Sequence, residues 1–85
     1  MASYRLQIKP SAVKELEAVA LKDRKRLVAR MRRLGKDPRP PGCEKLSGHE
    51  KYRVRRGDYR ILYSVDDAEG AVVIVKVGHR RDVYR

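Results

Sequence analysis

Tyr4, Leu6 and Ile8 alternate with Arg5, Gln7 and Lys9. A period of two predicts a strand with one buried face. Pro10 and Ser11 stop that strand and can open a helix, because proline is tolerated in a first helical turn. Val13, Leu16 and Ala20 follow at helical spacing. Asp23 is a candidate N-cap for a second helix over 23–34, with Leu27, Met31 and Leu34 as its apolar stripe and Gly35 as its terminator. The two predict a helical hairpin.

The segment 37-DPRPPG-42 breaks the pattern, since three prolines do not fit a regular ladder. Strand signals then dominate: a short one over 44–46, then 51–56, 59–65 and 71–77. The run 71-AVVIVKV-77 is apolar on both parities and reads as a central strand covered on both faces. With Gly57 and Asp58 as a two-residue turn, pairing follows by counting. Arg56 meets Tyr59, Arg55 meets Arg60, Val54 meets Ile61 and Tyr52 meets Tyr63. Residues directly opposite share a face. Tyr52, Val54, Ile61 and Tyr63 therefore predict the core side, and Arg53, Arg55 and Arg60 the other. The element order predicts one α+β domain over 1–85: an N-terminal strand, a helical hairpin, then an antiparallel sheet packed against the helices.

Composition sharpens this picture. The chain has 85 residues, enough for one modest core. It carries 22 Lys and Arg against 11 Asp and Glu, a net charge of +11. That imbalance calls for a polyanionic partner. Cys43 is the sole cysteine, and no Cys/His cluster has zinc spacing, so neither a metal nor another cofactor is expected. No run approaches the ~20 apolar residues of a membrane span, and no apolar leader opens the chain. A soluble cytoplasmic protein is the expectation.

The charge is concentrated. Like charges directly opposite in a sheet destabilise it by up to about 1 kcal/mol, which a fold gains nothing from and a phosphate site does. Arg24, Lys25, Arg26, Arg30, Arg32 and Arg33 crowd the second helix with few acidic neighbours. This reads either as a grip on a phosphate backbone, with Arg26, Arg30 and Arg33 as candidate RNA contacts, or as an ordinary solvated face. The tail 78-GHRRDVYR-85 adds His79, Arg80, Arg81, Tyr84 and Arg85 just past a core strand. It combines a proton carrier, phosphate binders and a ring able to stack on a base. His49 falls in a loop and receives no role.

Together, 11-SAVKEL-16, 45-KLSG-48, YRVRRGDYRILY and 78-GHRRDVYR-85 resemble a RelE-type toxin of the RelE/ParE toxin–antitoxin superfamily. The resemblance spans nearly the whole chain. It implies a RelE-like fold and a ribosome-dependent endoribonuclease that cuts mRNA in the A site. The ribose 2′-hydroxyl attacks the adjacent phosphate and the bond to the 5′-oxygen breaks. It implies a cognate acidic antitoxin as partner, besides ribosome and mRNA. Carried over residue by residue, it implies catalytic roles for Arg53, Arg55, Arg60, Arg80 and Tyr84. Arg81 and Arg85, read from the tail itself as phosphate binders, are candidate RNA contacts beside them. Familiar members have lysines where this chain has Arg53 and Arg55. Arginine binds phosphate but is a poor base, so the proton acceptor is expected elsewhere: His79, with Glu44 and Glu50 as alternatives. The ParE branch of the superfamily implies a DNA gyrase inhibitor without a nuclease site, and a non-enzymatic RNA-binding domain is a third reading.

Overall fold

The computed structural model describes residues 3–46 and 50–79. β1 (Arg5–Ile8) leads into α1 (Pro10–Glu17), with Pro10 in its first turn, then α2 (Leu21–Lys36). Four strands follow: β2 (Glu44–Lys45), β3 (Lys51–Arg56), β4 (Tyr59–Asp66) and β5 (Ala71–His79). The sheet order is β1-β5-β4-β3-β2, and both helices pack on one face of it. The expected α+β class is the one found. Neighbours among β2 to β5 run antiparallel as expected, but β1 joins β5 in parallel, with Arg5 opposite Ala71 and Ile8 opposite Ile74. An alternating strand looks the same for either direction of pairing, so the pattern alone carried no sign of this. No described helix is long and apolar enough to cross a membrane.

The helices differ in detail from the sequence expectation. The buried residues of α1 and its exit are Ala12, Leu16 and Val19, whereas Val13 and Ala20 face solvent. Two helical stripes pass through Leu16, and the sheet takes the one carrying the small Ala12. α2 starts two residues before Asp23, capped by the backbone of Ala20. It also runs past Gly35, which stays helical and buried. The Gly35 carbonyl accepts the N–H of Tyr4 at 2.7 Å, tying β1 to α2. The true stop is Asp37, extended at φ −141°, because a residue before proline is pushed out of the helical region and Pro38 follows.

Leu27, Met31 and Leu34 of α2 press on Tyr52, Val54, Ile61, Tyr63, Val72, Ile74 and Val77 of the sheet. Each such side chain stabilises the fold by roughly 1.5–3 kcal/mol through burial. Tyr63 and Tyr52 stack with centroids 5.7 Å apart. The fully buried Tyr63 donates its hydroxyl to the Pro38 carbonyl at 2.7 Å, and burial pushes its pKa upward. β5 is central, as expected, but not covered on both faces. Its pairing with β4 slips between Leu62 and Tyr63, so Lys76 faces Leu62 while Ile74 faces Tyr63 and Val75 is extra. This bulge lets Ile74 and Val77 both reach the core despite their odd spacing.

Candidate functional site

The β3–β4 hairpin has the register expected from counting: Arg56 opposite Tyr59, Arg55 opposite Arg60, Val54 opposite Ile61 and Tyr52 opposite Tyr63. Gly57 turns it with φ +61°, and Asp58 stays at negative φ. A left-handed first position followed by an ordinary second one is the type II′ pattern, whose twist suits a tight hairpin. Alternation then places Arg53, Arg55 and Arg60 on the face away from the helices.

These three arginines are graded in depth. Arg60 is 7% exposed, the Arg53 side chain 15% and the Arg55 side chain 56%. Opposite Arg60 on β5 stands Gly78, which adds no side chain over it. β2 brings Glu44 opposite Arg53. Glu44 Oε1 accepts from Arg53 Nε at 3.3 Å and Nη2 at 3.1 Å, and Arg55 Nη2 lies 3.6 Å away. All three contacts end on Oε1. A carboxylate thus sits where guanidinium forks can meet a phosphate, and two planar forks match phosphate oxygens well.

His79 is placed differently. It pairs with Tyr59, and their rings meet edge-on at 5.6 Å. Tyr59 alternates with Arg60, so His79 shares the helix-facing side rather than the arginine face. Arg80, Arg81, Tyr84, Arg85 and His49 lie outside the described residues.

On α2, Arg26 and Arg33 are exposed and Arg30 is half-buried. Arg24 is not part of that outward grip. Its guanidinium donates to the carbonyls of Glu17 at 3.2 Å and Val19 at 3.1 and 3.3 Å, closing the end of α1.

A second charged cluster lies at the other end of the sheet, and it takes in Glu50, which the sequence offered as an alternative proton acceptor. Arg39 of the proline-rich loop donates to Tyr52 Oη at 2.8 Å and to both oxygens of Asp67, at 3.2 and 2.8 Å. Tyr4 donates to Asp67 at 2.6 Å, and Tyr52 to Glu50 at 2.9 Å. Hydrogen bonds from Arg39 and Tyr4 hold Asp67 below the usual carboxylate range. Lys45, then Tyr52, does the same for Glu50. The sole clue in the sequence was an arginine placed among prolines.

The model of the ParE toxin family, toxins of the type II toxin–antitoxin system ParDE, matches residues 6–84. The chain belongs to this family. Toxin RelG of Mycobacterium tuberculosis is 53% identical over 34 residues, which is 40% of this chain and 39% of RelG. Solved structures extend the likeness to the whole fold. The archaeal RelE–RelB complex of Pyrococcus horikoshii matches with TM-score 0.84 at 30% identity, covering 94% of this chain and 98% of that one. A RelBE toxin–antitoxin complex of Mycobacterium tuberculosis matches with TM-score 0.82 at 28% identity, covering 96% and 97%. The isolated RelE toxin of E. coli gives 0.80 at 28%, covering 96% and 92%. This is therefore a toxin of the RelE/ParE superfamily with the RelE fold.

Proposed function

We propose that this toxin is a metal-independent, ribosome-dependent mRNA endoribonuclease that works in the cytoplasm. The supporting observation is the face on which Arg53, Arg55 and Arg60 converge with Glu44. The arginines hold the scissile phosphate and offset the charge that builds on it. The 2′-hydroxyl attacks phosphorus, the bond to the 5′-oxygen breaks and a 2′,3′-cyclic phosphate forms. The 2′-hydroxyl proton must leave. Glu44 stands on this face with every bond described to it on Oε1, so Oε2 is our acceptor. His79, on the Tyr59 side, is the rival. Arg80 and Tyr84 complete the site by resemblance, adding a further phosphate contact and a ring to stack on a base. A cognate acidic antitoxin holds the toxin inactive, as the solved RelE–RelB complexes suggest.

Primer extension on an mRNA threaded through purified ribosomes tests this, with wild type, Glu44→Gln and His79→Ala in parallel. Cuts confined to the A-site codon and lost in Glu44→Gln are expected. Cuts lost in His79→Ala but kept in Glu44→Gln would move the proton to His79. The ParE family match favours a second reading, gyrase inhibition. Loss of DNA supercoiling with intact mRNA would establish that one instead.

A further inference from the structure

The arginine face does not end at the hairpin edge. β2 pairs only with Tyr52 and Arg53, and among the described residues no strand covers the edge of β3 away from β4 from Val54 to Arg56. Along that bare edge adjacent residues alternate in direction, so Arg55 serves the arginine face and Arg56 the helix side. Facing the edge, α2 presents Arg26, Arg30 and Arg33. Between the two walls runs a groove of about 440 Å³, lined by Arg26, Ala29, Arg30, Arg33, Arg55 and Arg56.

Five of its six lining residues are arginines, and none is acidic. Among the described residues, Arg26, Arg30, Arg33 and Arg56 have no ion pair and no side-chain hydrogen bond. Spacings of four and three residues put the α2 arginines on one stripe, about 10 Å long. Neighbouring like charges on such a stripe destabilise a helix. They are favourable only toward an external anion.

We propose that this groove is a second phosphate-backbone subsite, into which an RNA strand passes from the arginine face over the bare edge of β3. Arg55 joins the two, since it contacts Glu44 on the face and also lines the groove. The wall chemistry favours RNA over an acidic protein. A protein interface needs apolar anchors at its centre, and this groove offers Ala29 alone. A phosphate backbone needs none. The inference rests on the nuclease reading for the direction of the strand, but binding is measurable without cleavage.

The test uses a short 2′-O-methyl oligoribonucleotide, which cannot undergo 2′-hydroxyl attack. Its affinity for the full chain is titrated across salt concentrations, for wild type, Arg26→Gln/Arg30→Gln/Arg33→Gln and Arg56→Gln. A single strand contributes about 0.7 to the salt slope per phosphate contact. The triple variant should lose about 2 from that slope and bind on the order of a hundredfold more weakly at 0.1 M salt. Arg56→Gln, altering the opposite wall by one exposed side chain, should lose about 0.7. Wild-type slope and affinity in both variants overturn the subsite, and an accompanying loss of antitoxin binding would assign the groove to an acidic protein. RNA that binds with the expected slopes yet is never cut when unmodified would overturn the nuclease reading and leave the subsite standing.

Discussion

Arg39 and Arg60 stand at opposite ends of one sheet and do opposite things. Arg39 is surrounded by chain-internal acceptors: Asp67, Glu50 and Tyr52. Through them it ties the proline-rich loop to the start of β3 and to the β4–β5 turn, with Tyr4 adding the segment before β1. At the hairpin end, Arg53 and Arg55 turn to the same oxygen of Glu44, with Arg60 packed beside them. The same side chain is a staple where acids match it and a candidate ligand site where cations outnumber them. Charge balance, more than residue type, separates the two ends.

The largest test of that contrast is activity. Arg60→Ala should lower mRNA cleavage by about 10²–10³-fold, the scale of losing one transition-state donor. Arg60→Lys should fall between, because it keeps charge and loses the fork. Arg39→Ala should leave cleavage near wild type. Primer extension on all three decides it, and equal losses at both ends would erase the distinction.

Stability gives the next contrast. Tyr63→Phe leaves the buried Pro38 carbonyl without its donor and should lower unfolding free energy by about 1–3 kcal/mol in urea titration. Gly57→Ala puts a Cβ at φ +61° and should cost about 1–2 kcal/mol. The second change should also lower cleavage, since the turn sets the register that opposes Arg55 to Arg60. The first should spare it.

The smallest effect is acid sensitivity. Asp67 and Glu50 have folded-state pKa values below their ordinary ones. Their stabilisation is complete above the unfolded value near about 4, and is lost as pH falls through the lowered folded values. Arg39 is the first cause of the Asp67 shift, whereas Lys45 leads for Glu50. The urea midpoints of wild type and Arg39→Ala should therefore differ at neutral pH and converge in acid, once pH has fallen below the lowered folded values. A difference that persists in acid would mean that Arg39 acts through packing on Tyr52 rather than through charge.

Local rules made much of this legible. A period of two and a turn containing glycine are enough to fix a hairpin register, because a one-residue slip would send Tyr52, Val54, Ile61 and Tyr63 to the solvent side. That register also carries Arg53, Arg55 and Arg60 to one face, so the arginine half of the candidate site followed from counting. What counting missed was non-local. Glu44 reaches Arg53 and Arg55 only because a two-residue strand pairs across a connection. Arg39 and Asp67 are 28 residues apart in sequence. Arg56 was read only as the strand residue opposite Tyr59, and its groove exists only once α2 is laid beside β3.

By itself the sequence determined the elements, the two-faced hairpin, the surplus of positive charge and the family resemblance. All of these depend on neighbours a few residues apart or on bulk count. Tertiary structure alone decided that β1 joins β5 in parallel, that a bulge at Val75 swaps which residues of β5 are buried, that His79 stands across the sheet from Arg60, and that Glu44 faces the arginines. Each depends on which distant segment lies alongside, and the periodicity of a single segment contains no record of its neighbour.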